Sequence, residues 1–326
     1  MSNSFIYDIF RKWLFLTNIA VFPTCFVINA PFGRFTPSKD SWFLVDGIKS
    51  WILMELVSPA MFIYAYTTSP LSYYDPPLPS WTSPQSILAS LFLIHYTNRA
   101  ILSPLRTPSR SKSHLIVPLS GVLFNTMNGF LMGSYLSSPY ARMFLNPTYT
   151  FQRPSFYIGL GLWFVGFVGN IVHDEILLDI RRNAKSKGKG KAGQDDKNKK
   201  ADASASEKEH YAIPYGLLYK YVSYPNYFCE WTEWFGFALA AAPFPIELSL
   251  SAVVKLILSL LSVNGLKSIA FGSPKGFAPS LTPPWVFFFA EVLAMLPRAY
   301  NGHIWYKRRF GDRYPKERKA VVPFLL

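Results

Sequence analysis

The sequence predicts an all-α polytopic membrane protein with seven transmembrane helices and one further re-entrant or interfacial helix near 246–263. Half of the 326 residues are hydrophobic and only 16% are charged, which is too apolar for an average soluble domain. Apolar windows of about 20 residues, the length that spans a bilayer, recur along the chain. They lie near 13–29, 48–67, 85–103, 115–136, 156–180, 227–245 and 284–306.

The Lys and Arg residues between these windows predict the orientation of the helices. Segment 68–84 has no basic residue, whereas 104–114, 181–210 and the tail 307–319 are basic. Because basic loops stay on the cytosolic side, the amino terminus is expected in the lumen and the carboxyl terminus in the cytosol. Segment 137–155, with two arginines, is the one lumenal loop that departs from this pattern.

The first window could also be a signal sequence, because Arg11 and Lys12 precede it. No cleavage pattern of small residues follows it, so we expect a retained span. The two cysteines, Cys25 and Cys229, lie in apolar surroundings and predict neither a disulfide framework nor a metal site.

Two segments are expected to be insertions between the spans. Residues 183–208 are small, charged and without apolar periodicity, which predicts a disordered basic loop in the cytosol. Residues 246–283 form the second, and Glu247 and Lys255 interrupt its apolar stretch 246–263. A full crossing there would place the basic tail in the lumen, so a re-entrant or interfacial helix fits better. The net charge of +14 collects in loops of this kind and predicts no nucleic-acid partner.

Polar residues follow single faces of the last three windows, where an ionisable group needs a partner or a wet cavity. Their spacing of four, seven or eleven residues places them on one stripe of each helix. The stripes contain Asn170, Asp174 and Arg181; Asn226, Glu230, Glu233, Trp234 and Phe237; and Arg298, Gly302, Trp305 and Tyr306. One interpretation is that Asp174 or Glu230 pairs with Arg181 or Arg298 to hold helices together. Three stripes together favour a shared polar cavity.

Two residues of the amino-terminal half are candidates for catalysis. Glu55 lies in the second window, and Tyr96 lies in the third beside His95 and Arg99. Without a cation near it in its own helix, a buried Glu55 is expected to stay protonated and to donate a hydrogen bond. A neutral acid beside a phenol can polarise a ketone oxygen.

Two stretches near the carboxyl terminus, YPNYFCEWTEWFGFALA and RAYNGHIWYKRRFGDRYPKERKAVVPFLL, resemble the signatures of the steroid 5α-reductase family. The likeness continues through GNIVHDEILLDIRR and YAIPYGLLYKYVS, and more faintly through FGRF, WILMEL and LIHYTNRA. It implies one reductase domain over 1–326, interrupted by the two insertions. It also implies a membrane enzyme of the endoplasmic reticulum that reduces an activated carbon–carbon double bond with NADPH.

The resemblance implies roles for twelve residues. Glu55 and Tyr96 match the positions that hold the substrate's 3-keto oxygen. The cofactor-binding positions correspond to Asn170, Asp174, Arg181, Tyr211, Asn226, Glu230, Trp234, Arg298, His303 and Tyr306. The chain has no GxGxxG turn, so arginines have to neutralise the phosphates directly, with Arg182 or Lys220 as further candidates.

The chain departs from the family pattern at three positions. Gly302 stands where an imidazole would contact the cofactor, which leaves His303 as the remaining one, and it leaves a gap on its helix. Ala212 stands where a basic residue is common, and Ser120 where some steroid-specific members have an arginine. These departures concern cofactor affinity and substrate identity more than the type of reaction.

The expected reaction is a conjugate reduction. Hydride passes from the nicotinamide to the β-carbon of an enone, here the Δ4 bond of a 3-oxo-steroid, while Glu55 and Tyr96 stabilise the enolate oxygen. The expected substrate is a lipophilic, steroid-like molecule that enters from the membrane lipid, and a monomer is compatible with the sequence. Alternatives are a reductase of a polyprenal or a trans-2-enoyl-CoA, a methyltransferase of isoprenylated cysteine, and a non-enzymatic sterol carrier.

Overall fold

The computed structural model of the chain describes residues 3–36, 42–74, 76–192, 211–245, 251, 257–259 and 261–326. Within these ranges the fold consists almost entirely of helices. In chain order they are α1 (Asn3–Val21), α2 (Gly47–Thr68), α3 (Pro84–Thr97), α4 (Ser103–Arg106), α5 (Ile116–Ser137), α6 (Pro139–Phe144), α7 (Pro147–Thr150), α8 (Pro154–Ala192), α9 (Pro225–Ala241), α10 (Val263–Phe271) and α11 (Pro283–Phe310).

The remaining regular structure is short. Strands β1 (Leu44–Val45) and β2 (Ser113–His114) pair antiparallel, with Leu44 opposite His114 and Val45 opposite Ser113. A π-helical turn, Asn98–Leu102, joins α3 to α4. Single 3₁₀ turns occur at Thr24–Phe26, Gly33–Phe35, Leu217–Lys220, Pro274–Gly276 and Gly311–Arg313.

A helix lies at each of the seven apolar windows. Three of these helices, α2, α5 and α8 as far as Asn183, are long and apolar enough to cross a membrane. The structure is therefore that of an all-α membrane protein, and the count of seven spans stays a prediction.

The predicted bounds of the first window, 13–29, are wrong: the helix lies about half a window length closer to the amino terminus. Helix α1 begins at Asn3 and ends at Val21, two residues before Pro23. Proline has no backbone N–H and its ring clashes with the preceding turn, which favours the end of a helix at this point.

Because α1 starts early, Arg11 and Lys12 lie inside the helix and are buried, at 4% and 2% exposure, instead of flanking a span. Arg11 Nη1 donates to the carbonyl oxygens of Ala278 and Leu281 at 2.7 and 3.1 Å. Lys12 Nζ donates to the carbonyl oxygen of Gly272 at 2.7 Å. The two cations therefore attach α1 to the segment that precedes α11.

The two predicted insertions are described only in part. Helix α8 continues to Ala192, across the first ten residues of the loop predicted at 183–208, and residues 193–210 lie outside the described ranges. Most of the predicted re-entrant helix at 246–263 also lies outside them.

Two pairs of helices approach each other closely at glycines. On α5, a Cβ at Gly129 would overlap the carbonyl oxygen of Ser58, and one at Gly133 would overlap that of Phe62, both on α2. Gly166 and Gly236 have the same role between α8 and α9, where a Cβ would meet the facing backbone. Small residues of this kind let helix backbones pack closely in membranes. Helix α11 packs on α9 and α1, and a common core of aromatic and aliphatic side chains fills the space between them.

We predict that Gly133→Val prevents close packing of α5 on α2, because the added side chain overlaps backbone atoms. The free energy of unfolding should fall by about 1–3 kcal/mol. The measurement is the thermal midpoint of the detergent-purified protein. Gly161→Val is the matched control, since nothing lies within 4 Å of a Cβ at that position. Equal midpoints for the two variants would contradict the proposed contact.

Candidate functional site

A cavity of about 620 Å³ opens between α2, α3, α5, α8, α9 and α11 and reaches the segment that follows α1. Eight of the twelve predicted site residues line it: Glu55, Tyr96, Asn170, Asp174, Arg181, Asn226, Glu230 and Arg298. The wall also includes residues that the sequence did not single out for a site: Arg34, Arg110 and Glu291. The other four predicted residues, Tyr211, Trp234, His303 and Tyr306, do not line this cavity.

Arg99 lies at the centre of the polar wall, shared between two carboxylates. Its Nε donates to Glu55 Oε1 at 3.1 Å, and its Nη1 donates to Glu230 Oε1 at 2.8 Å. Both acids are nearly fully buried, with side chains 5% and 3% exposed. The cation beside Glu55 thus comes from the turn after α3 and not from its own helix, so the lack of a cation in α2 does not leave Glu55 without a partner.

The π-helical turn explains how Arg99 reaches this position. Helix α3 ends at Thr97, one residue after Tyr96, and the wider turn at Asn98–Leu102 follows it directly and carries Arg99. π-turns of this kind occur frequently at functional sites because they change the direction of side chains within a helix. A sequence pattern read at 3.6 residues per turn cannot detect such a turn.

Hydrogen bonds extend from Glu230 along the stripes of α8 and α9. Asn170 Nδ2 donates to Glu230 Oε2 and to the Asn226 carbonyl oxygen, each at 3.1 Å. Asn226 Nδ2 in turn donates to Asp174 Oδ1 at 2.9 Å. The two stripes thus face each other as predicted from their spacing, but the partner of each acid is an amide or Arg99. No described ion pair joins Asp174 or Glu230 to Arg181 or Arg298.

The Tyr96 phenol is fixed from α5. Asn128 Nδ2 donates to Tyr96 Oη at 3.0 Å and lies 3.4 Å from Ser58 Oγ, which is also within reach of the phenol. Because Oη accepts from the amide, the contact with Asn128 does not use the phenolic proton. Tyr96 is only 2% exposed, so this donor acts in a nearly dry environment.

Glu233, the second acid of the α9 stripe, joins α9 to α3. It is completely buried, and its Oε1 accepts from His95 Nδ1 at 2.7 Å. Trp234 lies behind this pair, with its ring centre 4.6 Å from the His95 ring and 4.5 Å from the Phe287 ring. Trp234 therefore supports the polar wall from the core and does not face the cavity.

Arg34 and Arg298 are held by aromatic rings instead of carboxylates. The Arg298 guanidinium carbon lies 3.6 Å from the centre of the Phe32 ring. The Arg34 guanidinium carbon lies 4.6 to 5.7 Å from four ring centres, those of Trp305, Tyr306, Tyr211 and Tyr224. Neither arginine has a described ion pair, and Nη1 of each is buried without a hydrogen-bond partner among the described residues. Tyr211 and Tyr306 thus lie behind a cation of the cavity wall.

Arg110 and Arg181 add to the positive charge of this wall. Arg110 lies over the Trp51 ring at 3.8 Å, and burial together with the neighbouring Arg181 lowers its pKa to about 10. Since it remains charged at neutral pH, this part of the cavity favours an anion. Arg182 and Lys220, the further candidates for phosphate binding, are not on the wall. Arg182 pairs instead with Glu175 and Asp179 at 2.9 and 2.7 Å.

His303 turns away from the large cavity and lines a separate pocket of about 320 Å³ near the carboxyl-terminal tail. Its Nδ1 is hydrogen-bonded to Ser223 Oγ at 2.6 Å, and the same hydroxyl is bonded to Tyr314 Oη at 2.6 Å. Ser120 lies on the wall of the large cavity, but its hydroxyl donates to the Ile116 carbonyl oxygen within its own helix at 2.7 Å.

Comparison with known proteins gives one family. A family model described as 3-oxo-5-alpha-steroid 4-dehydrogenase matches residues 111–193, 198–261 and 277–326. A protein of Schizosaccharomyces pombe described as uncharacterized is 37% identical over 98% of this chain and 99% of its own. A mouse (Mus musculus) protein named 3-oxo-5-alpha-steroid 4-dehydrogenase 1 is 31% identical over 90% and 84% of the two chains. A tomato (Solanum lycopersicum) protein named steroid 5-alpha-reductase DET2 is 29% identical over 98% and 97%.

We predict that Arg99→Leu lowers the stability of the protein by about 3–5 kcal/mol, because two buried carboxylates lose their common cation. Thermal unfolding in detergent measures this. The control is Arg106→Leu, whose partner Glu175 is about one-third exposed, so that the loss should not exceed about 1 kcal/mol. If both variants unfold at the same temperature, Arg99 does not hold the cluster together.

Proposed function

The chain belongs to the 3-oxo-5-alpha-steroid 4-dehydrogenase family, and from this premise we propose that it reduces the Δ4 double bond of a 3-oxo-steroid to the 5α product with NADPH. The observation that carries the proposal is the division of the large cavity. One part contains the Glu55, Tyr96 and Arg99 cluster, and another contains arginines without carboxylate partners.

The arginine-lined part fits the phosphates of a dinucleotide. The buried, unpartnered Nη1 atoms of Arg34 and Arg298 are donors that a phosphate would satisfy, and guanidinium groups bind phosphate with two parallel hydrogen bonds. Arg110 and Arg181 would contribute further charge. Backbone N–H groups of a glycine-rich turn are therefore not needed for phosphate binding in this fold.

The remaining predicted ligands have complementary roles. The amides and acids of the α8 and α9 stripes, Asn170, Asp174, Asn226 and Glu230, present donors and acceptors suited to ribose hydroxyls and a carboxamide. The other predicted ligands act from behind the wall. Arg34 is held by the rings of Tyr211 and Tyr306, and His95 by the ring of Trp234. When bound, the reduced nicotinamide would supply a hydride to the β-carbon of the enone.

Tyr96 and Glu55 would hold the carbonyl oxygen of the substrate. The Tyr96 proton, left free by the Asn128 contact, donates to the oxygen on which negative charge develops, and burial strengthens this interaction. The protonated form of Glu55 would donate from Oε2, which makes no hydrogen bond to a described residue, to the same carbonyl oxygen, while Oε1 accepts from Arg99. Arg99 also contributes positive charge near the developing enolate.

The cavity suits a lipophilic ligand of moderate size. Its volume lies in the range typical of small-molecule sites, and Phe124, Phe167 and Phe287 contribute apolar surface. Such a substrate would enter from the lipid of the endoplasmic reticulum membrane, with the basic tail of the enzyme in the cytosol and the protein acting as a monomer.

The second candidate is reduction of another lipid enone or enal, such as a polyprenal or a trans-2-enoyl-CoA. Ser120 favours it, because this residue lies on the cavity wall where some steroid-specific members have an arginine. A methyltransferase is disfavoured, because it gives no role to the Glu55, Tyr96 and Arg99 cluster.

The test is a comparison of substrates. Membranes containing the full chain are incubated with NADPH and, separately, a Δ4-3-ketosteroid, a polyprenal and a trans-2-enoyl-CoA, and the products are analysed by mass spectrometry. We expect the 5α-reduced steroid. Reduction of a different substrate alone would favour the second candidate, and no oxidation of NADPH with any of them would refute the proposed function.

We predict that Glu55→Gln abolishes turnover of an enone steroid but leaves NADPH binding intact. An amide has no acidic proton to donate to the developing enolate, while the arginine-lined part of the cavity is unchanged. Turnover and NADPH affinity of the same preparation provide the two measurements. Retained turnover would exclude a catalytic role for Glu55.

We predict that Arg298→Ala raises the KM for NADPH at least about tenfold, since it removes a charged donor of phosphate. Steady-state kinetics at saturating steroid measures the effect. Arg309→Ala, in the exposed last turn of the same helix, is the control and should leave the KM unchanged. An unchanged KM for Arg298→Ala would remove this residue from the proposed cofactor site.

A further inference from the structure

The phenol of Tyr224 occupies the notch that Gly302 leaves in α11. A Cβ at Gly302 would overlap the hydroxyl oxygen of Tyr224 and meet its ring carbons. Glycine is a poor residue for a helix interior, so its presence here needs a reason. The gap expected from the sequence at Gly302 is therefore filled by a side chain from the loop before α9.

The Tyr224 side chain lines the large cavity, and its hydroxyl has no partner among the described residues. Tyr224 is 8% exposed, lines the cavity, and makes no hydrogen bond through its hydroxyl to any residue that the structure describes. Burial raises the pKa of this hydroxyl, and the neighbouring Arg34 only partly opposes the effect, so the group stays protonated. It is a free donor beside a cavity.

The surroundings of the hydroxyl indicate which ligand it meets. The Arg34 guanidinium lies 5.7 Å from the Tyr224 ring centre, and Arg298 is near enough to interact electrostatically with the same group. Both cations have an unpartnered buried Nη1. A neutral donor near two guanidinium groups that have no described carboxylate partner is suited to an anionic oxygen.

The position of Tyr224 is also well fixed. Its backbone N–H donates to the Ala320 carbonyl oxygen at 3.0 Å, and its ring lies 5.2 Å from that of Tyr227. Since backbone, ring and notch all restrain the side chain, the hydroxyl is oriented before a ligand arrives, which reduces the entropy lost on binding.

We propose that Tyr224, held in the Gly302 notch, is a further cofactor-binding residue that donates a hydrogen bond to a phosphate oxygen of the dinucleotide. The proposal rests on the proposed function. The family resemblance leads one to expect an imidazole at position 302 of α11. In this chain the phenol of Tyr224, from the loop before α9, occupies that place.

The first experiment compares Tyr224→Phe with the wild-type full chain in lipid nanodiscs. We expect about tenfold weaker NADPH binding, measured by fluorescence titration, with an unchanged thermal midpoint, because only one hydroxyl is lost. Tyr221→Phe is the matched control and should bind NADPH like the wild type, since Tyr221 does not line the cavity.

The outcomes separate this proposal from the proposed function. If the wild type does not bind NADPH, the proposed function fails. If the wild type binds NADPH and Tyr224→Phe binds it equally well, the role of the Tyr224 hydroxyl is refuted while the proposed function stands.

The second experiment tests the notch itself with an exchange of side chains. Gly302→His should lower the thermal midpoint sharply, because the new side chain overlaps Tyr224. Tyr224→Ala combined with Gly302→His should restore the midpoint and bind NADPH more tightly than Tyr224→Ala alone. A wild-type midpoint for Gly302→His, or no recovery in the double variant, would overturn the pairing of these two residues.

Discussion

The structure depends on one guanidinium that serves two buried carboxylates. Arg99, from the π-turn after α3, binds Glu55 of α2 and Glu230 of α9, and Glu230 is bonded onward to Asn170 of α8. Four helices therefore meet at a single cation. In an apolar environment an unpaired carboxylate is costly, so none of these helices can move far without exposing a charge to hydrocarbon. Glu55 and Tyr96 also line the cavity, and these contacts use only one oxygen of Glu55. The residues that hold the helices together can therefore also contact a ligand.

The other part of the cavity is built on a different principle. Arg34 and Arg298 pack against aromatic faces, which attract a cation but do not cancel its charge. An arginine held by a carboxylate would be largely neutralised before a phosphate arrived. The charge of Arg99 is thus balanced by carboxylates, whereas the charges of Arg34 and Arg298 on the same cavity wall are not.

The sequence was informative where the signal is local. Runs of apolar residues located the seven long helices, and the 3.6-residue spacing placed Asn170 and Asp174 opposite Asn226 and Glu230. Contacts between distant segments were not accessible in this way. The partner of Glu55 lies 44 positions away in a turn that is not α-helical, and Tyr211 and Tyr306 act through Arg34, which a faint FGRF resemblance alone had indicated. The Gly302 gap was correctly located, but what fills it depends on a loop conformation that no periodicity encodes.

The attachment of α1 to the segment before α11 has a consequence for the insertion that precedes that segment. Arg11 and Lys12 bind the carbonyl oxygens of Gly272, Ala278 and Leu281, so α11 starts from a point that α1 fixes. The start of α11 is also attached to the segment that follows α9, where Trp285 and Ser280 donate to the carbonyl oxygens of Pro243 and Pro245. We therefore expect a change in the length of the chain between Pro245 and Gly272 to leave Arg298 in place. Helix α1 thus anchors the start of α11, the last helix of the chain, although the two helices lie at opposite ends of the sequence.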